Sequence, residues 1–270
     1  MPGLKYPIAH VPMLGKGSIL LDIFDSSGLP TGLRHLGNCT KFELDLKDDI
    51  AELYQSINKN VTLIATALKK RQPKVSITGT DFSSDHMAIV QMSSGKTELS
   101  ISAATVTAET LISATAVSNC VGRFFRTAKI NLDMTEANVP VLTQGSTTLA
   151  SGTDYVVSDP ASGLIYIPAG STIVLTGAGA VAVTITYHTL LGTFDQVAGA
   201  TVPFQQGHLV FVPDPVDGQK IGCDIWRVNL NPNGNVGLIA EDYGNWTLDG
   251  NILDDTANHP DAPFYQYTFF

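Results

Sequence analysis

A chain of 270 residues with a formal net charge of −9 is ill-suited to gripping nucleic acid by its phosphates, which requires Lys and Arg to neutralise them, but the charge is compatible with letting DNA pass without sticking. At this length about three quarters of the unfolded surface can be buried, so no staple is needed, and three widely spaced cysteines (Cys39, Cys120, Cys223) with no CxxC suggest neither a disulfide framework nor a zinc site. Hydrophobic content of 44%, only 15% charged residues, 24 Gly and 14 Pro fit a turn-rich, mainly β protein better than a helical or disordered one.

The N-terminal run Met1 to Tyr6 lacks a basic stretch followed by an apolar one, so no signal peptide is expected. Residues 1–16, with Pro2, Pro7, Pro12, Gly3 and Gly15, suit an extended arm. Gly15-Lys16-Gly17-Ser18 lacks phosphate-loop spacing and precedes a strand instead of following one. Gly17 to Asp25 reads as the first strand and Ser26 to Gly32 as a turn.

Asn38 to Leu46 reads as the second strand and Lys74 to Thr78 as the third. Strict alternation puts Phe42, Leu44, Leu46, Val75 and Ile77 on an apolar face, with Lys41, Glu43, Asp45, Lys74, Ser76 and Thr78 on a polar one. Between them runs a polar excursion opening with Lys47-Asp48-Asp49, far longer than the usual 2–5 residues of a hairpin loop. It holds Asp48, Asp49, Glu52, Tyr54, Lys69, Lys70 and Arg71 and is predicted to be a long loop that needs a partner; Ile50 to Tyr54 suits a short helical turn within it. The basic run Lys69-Lys70-Arg71 reads either as a solvated tip or as a patch facing an acidic neighbour.

Asp81 to Met92 is the one convincing helix, capped by Asp81 or Ser83 and ended by Gly95. From about Ala103 to Leu191 short Val/Ile/Thr strands with regular turns predict a small inserted β-domain. It includes a hairpin of Gly152 to Val157 and Leu164 to Ile167, and strands over Thr172 to Leu175 and Val181 to Tyr187. Five further strands are predicted: Gly207 to Val212, Gly222 to Leu230, Val236 to Ala240, Trp246 to Leu253 and Phe264 to Phe270. Thr247, Asp249 and Asn251 share the polar face of the fourth, and Trp246, Leu248 and Ile252 the apolar one. The expected organisation is an arm (1–16), a core (17–103 with 205–270) and an inserted β-rich domain (104–204). The apolar window Ile173 to Leu191 alternates with Thr and Gly, so it reads as strands and not as a membrane span.

Catalytic chemistry finds no anchor. The six His lack metal spacing, and HExxH, GxSxG and Rossmann glycine patterns are missing. Asp214 to Gly218 and Asp242 to Gly244 have oxygens suited to calcium but are equally well explained as turns. No enzyme, cofactor or metal site is expected. Trp226 and Trp246 suit either stacking on sugars, in a β-rich surface or decoration module that recognises glycans, or burial.

The run Ile19 to Asn38, with its strand, glycine-proline turn and Leu-Gly-Asn segment, resembles the start of tail tube (major tail) proteins of long-tailed, siphophage-type bacteriophages. Val228 to Gly234, continuing through Leu238 to Leu253, is similar to that family's closing hairpin. The resemblance implies a tail-tube β-sandwich or barrel with one short helix, a long loop between strands 2 and 3, and an inserted small β-domain. It implies a homohexameric ring stacked into a tube for DNA ejection, found in the virion after assembly in the host cytoplasm, with no membrane involved. The tape measure, tail terminator and distal tail proteins are the implied partners, and DNA is present only in transit. Lys41, Glu43, Asp45, Lys74, Ser76, Thr78, Thr247, Asp249 and Asn251 would face the lumen, and the excursion would reach the next ring. Two lysines on that face are awkward for a lumen expected to be net acidic, unless they pair with neighbouring carboxylates.

Overall fold

The computed structural model describes residues 13–55, 61–114, 119–175, 180–239 and 241–270. The first twelve residues of the expected arm lie outside this set. The chain is mainly β and divides into two units, one built from residues up to Lys96 and from Val197 onward, the other from Thr97 to Gln196. Both borders fall earlier in sequence than composition suggests.

The first half of unit 1 contains β1 (Gly17–Ile23), β2 (Arg34–His35), β3 (Cys39–Gln55), β4 (Thr62–Gly79) and α1 (Ser84–Val90). Unit 2 follows with β5 (Lys96–Ile101), β6 (Ala104–Ile112), β7 (Arg123–Arg126), β8 (Val141–Gln144), β9 (Thr147–Thr148), β10 (Val156–Asp159), β11 (Leu164–Ile167), β12 (Val183–Thr189) and β13 (Gly192–Val197). The chain then returns to unit 1 with β14 (Gln205–Pro213), β15 (Ile221–Pro232), β16 (Trp246–Ile252) and β17 (Tyr265–Phe269).

Unit 1 is one antiparallel sheet in the order β2-β1-β14-β15-β16-β4-β3. The long β15 serves two strands along one edge, pairing β17 through Ile221–Ile225 and β16 through Val228–Pro232. Alternation sends Ile19, Leu21, Val75, Ile77, Leu209, Ile225 and Leu248 into one core, where Ile89 and Val90 of α1 join them. The sheet curls onto its apolar side: Phe42 of β3 stacks on Phe211 of β14, although three strands separate them in the ladder. Gly79 is required beneath the buried Trp246 of the neighbouring strand, because a Cβ there would sit 2.2 Å from Cζ2 of that ring.

The helix is shorter than predicted. Ser83 is extended (φ −62°, ψ 160°) and is the cap, its hydroxyl accepting from the His86 backbone N–H. Asp81 accepts from Ser83 N instead. Met92 leaves the helix at φ +52° with its side chain buried.

The excursion between the second and third predicted strands is not a loop. β3 and β4, 17 and 18 residues long, stay paired from Cys39↔Gly79 to Gln55↔Thr62, and Ile50 to Tyr54 is strand, not helix. The Thr-, Ile- and Leu-rich run Thr62–Leu68 favours a pleated conformation, and the charges that resembled loop chemistry face each other across the ladder. Two other expectations also fail. Of the strand predicted over Val236 to Ala240, Val236 to Ile239 form none, with Leu238 and Ile239 exposed, and Ala240 lies outside the described residues. Thr172 to Leu175 forms none because side chains satisfy its backbone: Asp154 accepts from Thr172 N at 2.8 Å and Gln144 from Val174 N at 3.3 Å.

In unit 2 the sheets β10-β11-β7 and β6-β12-β8-β9 share one core of Ile112, Leu142, Tyr155, Ile165, Ile167, Val183, Ile185 and Tyr187. The predicted 152–167 hairpin is present as β10 and β11.

Candidate assembly surfaces

Nine polar residues predicted to share a face do so, because strands β3, β4 and β16 are ladder neighbours in matching register. Lys41, Thr78 and Thr247 form one cross-strand row, Glu43, Ser76 and Asp249 the next, and Asp45, Lys74 and Asn251 a third. The Thr78 and Thr247 hydroxyls are 3.2 Å apart. Lys41 bridges Glu43 at 2.9 Å, and Lys74 lies opposite Asp45, so both lysines have carboxylate neighbours. Two cations thus stand against three carboxylates, and the face is weakly acidic.

The rows continue onto residues that sequence reasoning missed. Asn231 lies beside Asp249, and Asn229 beside Asn251. Gln206 pairs with Asn229, its side-chain amide donating to Asn229 Oδ1 at 3.1 Å. The alternation Val228-Asn229-Leu230-Asn231 carried the signal. Asp249 accepts from the Asn233 amide through Oδ2, and its Oδ1 is buried without a protein partner.

Beyond Leu46 and Pro73 the hairpin β3–β4 has no further strand beside it among the described residues. At its base Arg71 donates two parallel hydrogen bonds to Asp48, Nε to Oδ1 at 3.1 Å and Nη2 to Oδ2 at 3.2 Å. That hydrogen bonding, with the added charge of Asp48, holds the Arg71 guanidinium above its ordinary value. Lys70 faces Asp49, and Lys69 is the extra residue at a register shift. Arg71 of the basic run therefore binds an acid and Lys70 stands opposite one, and the run lies along paired strand and not at a loop tip. Further out, the Tyr54 hydroxyl donates to Glu52, and this raises the phenol.

This distal hairpin carries apolar pairs on both sides, beside the polar Glu52–Thr66 pair on one of them, which the polar reading of the segment did not anticipate. Ile50 and Leu68 are cross-strand partners on one face, while the Ala51–Ala67 and Leu53–Ala65 pairs occupy the other. Ile50 is 51% exposed, Leu68 53% and Leu53 60%. An isolated pair of strands is at best marginally stable in water, and scattered single apolar residues would need no explanation, whereas paired ones on both faces do.

Trp246 is 1% exposed and donates to Asp81 O at 2.7 Å, so it is a core residue and not a sugar platform. Trp226 donates to Ala262 O at 2.7 Å and stacks on His259, with centroids 3.7 Å apart. His259 Nδ1 is 2.7 Å from the buried Asp255 carboxylate, which also accepts from Asn258. Burial opposes ionisation of Asp255, but the bonds from His259 and Asn258 prevail and hold it below the usual range. His208, beside Trp226, is pushed down by burial, which the nearby Asp224 only partly offsets.

Among the described residues no group of three or more His, Cys, Asp or Glu could hold a metal ion, and no helix is long and apolar enough to cross a membrane. The class defined by the fold is a mainly β protein of two units with a projecting hairpin. A family model described as "Protein of unknown function UCP028589" matches residues 12–268, and the chain belongs to that family. No curated protein matches it.

Proposed function

We propose that the protein is a structural virion subunit that assembles into stacked homohexameric rings forming a phage tail tube. The observation that carries this reading is the projecting part of β3–β4, which carries exposed apolar pairs on both faces and has no partner strand among the described residues. Docked against a second copy, its Ile50–Leu68 and Leu53–Ala65 faces would lose their contact with water, and each fully buried Leu or Ile side chain is worth about 1.5–3 kcal/mol. The polar face of β3, β4 and β16 supports the second half of the reading. In a ring, rows of Thr, Ser, Asn and paired charges would line a wet channel while the reverse face packs on the subunit's own core. A weakly acidic wall gives DNA phosphates no cation cluster to adhere to. In this reading DNA is present only in transit, the tape measure, tail terminator and distal tail proteins are partners, and the site of action is the virion, reached after assembly in the host cytoplasm without a membrane.

The test is to replace Asp48–Arg71 by an Asn-Gly turn that closes the Lys47↔Gln72 pair. The shortened protein should stay folded and fail to stack into tubes; tubes formed by it would remove the role assigned to the hairpin.

A further inference from the structure

Unit 2 carries a surface aromatic pair that its core does not use, with Phe124 exposed and Tyr166 half-buried. On the solvent face of the β10-β11-β7 sheet Val156, Tyr166 and Phe124 lie side by side in register, followed by Leu164 and Arg126. The rings of Phe124 and Tyr166 are 4.8 Å apart and tilted by 38°, and Phe124 is 58% exposed. Adjacent aromatic rings on one sheet face present a large apolar area with the flat geometry on which a ligand ring can pack.

The charge distribution indicates what kind of ligand. Between Thr97 and Gln196 the sequence holds seven carboxylates but only three Lys or Arg, and those three, Arg123, Arg126 and Lys129, fall within seven residues. Arg126 and Lys129 line a cleft of about 480 Å³ together with the hydroxyl-bearing Ser100, Ser102 and Thr127. Arg126 Nε donates to Ser162 O at 2.9 Å, which fixes the guanidinium plane and leaves its terminal amino groups for a ligand. Nearby carboxylates already accept hydrogen bonds: Glu98 from the Ser100 hydroxyl at 3.1 Å, Glu109 from Ala128 N at 2.7 Å and from the Tyr187 hydroxyl at 2.6 Å, and Asp159 from Ser162 and Ala161.

We propose that this face binds an acidic saccharide. The C–H face of a pyranose packs on Phe124 and Tyr166, and its carboxylate accepts from Arg126, with Lys129 adding charge. Nucleic acid fits less well, because the two cations that line the cleft, Arg126 and Lys129, match a single carboxylate and cannot neutralise a run of phosphates. The proposal is independent of the tube reading.

The probe is the trimer of galacturonic acid, and its fully methyl-esterified, uncharged form is the control. Binding is read on the intact protein by saturation-transfer difference NMR, which works whether or not the protein assembles. The acid should bind in the millimolar range and about tenfold more tightly than the ester, the equivalent of about 1.4 kcal/mol. Phe124→Ala and Arg126→Gln should each weaken it about tenfold or more. Phe124→Leu, which keeps an apolar side chain at this exposed position, should lose affinity without affecting thermal unfolding. The proposal is overturned by an absence of binding, by equal binding of acid and ester, by variants that bind as well as the parent, or by a short single-stranded DNA that competes more strongly than the acid.

Discussion

Phe42 and Phe211 stack with their ring centroids 5.3 Å apart and an interplanar angle of 13°, joining β3 to β14 across the open side of the sheet. This contact turns the sheet's concave apolar side into an enclosed core and leaves the convex side wet.

Each ring has half-buried surroundings, so Phe42→Ala and Phe211→Ala should each destabilise unit 1 by about 1–3 kcal/mol, below the 3–5 typical of a fully buried Phe. A double-mutant cycle should give about 0.5–1.5 kcal/mol of coupling. Urea unfolding of the hairpin-shortened protein measures both; zero coupling would mean that the stack does not hold the curl.

Gly79→Ala should cost about 1–3 kcal/mol by overpacking against Trp246. Adding Trp246→Phe removes the clashing ring atoms and should recover part of the loss, whereas an additive further loss would place the strain elsewhere.

Stability should fall in acid in two stages. His208 has a depressed folded pKa, caused first by burial. Its contribution is therefore present above the unfolded value of about 6.5 and is lost as pH falls through the lower folded value. His208→Gln should flatten this first decline.

Asp154 is held low chiefly by the Thr172 N–H and then by Ala150 N–H, and Asp255 by His259 and Asn258 against burial. Their contributions are present above the ordinary carboxylate value of about 4 and are lost as pH falls through the depressed folded values. Asp255→Asn should reduce the slope below about pH 4 and leave the His208 stage in place. Chemical denaturation at stepped pH, with Trp226 fluorescence as the readout, separates the two stages.

The polar face supplies another test. Replacing Glu43, Asp45 and Asp249 by Lys should make assembled protein retain DNA, with an affinity that drops steeply as salt rises. Unchanged, negligible retention would show that this face does not line a channel.

The polar and apolar faces of β3, β4 and β16 were legible in the sequence because alternation is local and each strand carries its own pattern. The hairpin was not. Asp48 and Arg71, 23 residues apart, are complementary only once the register is known, and read separately Lys47-Asp48-Asp49 and Lys69-Lys70-Arg71 have the composition of solvated loops. The apolar pairs between them were hidden likewise, since Ile50 and Leu68 become neighbours only across the ladder. Phe124 and Tyr166 sit on different strands, so no window of sequence contains the platform. Helix α1 shows the reverse: its cap and core residues are close in sequence, and only its two ends were misjudged.

Electron microscopy of the purified full-length protein tests the central claim most directly. The account predicts rings with a central pore that stack into tubes, and loss of stacking when Asp48–Arg71 is replaced by the short turn. A strictly monomeric species at high protein concentration, with no rings or tubes, would contradict it.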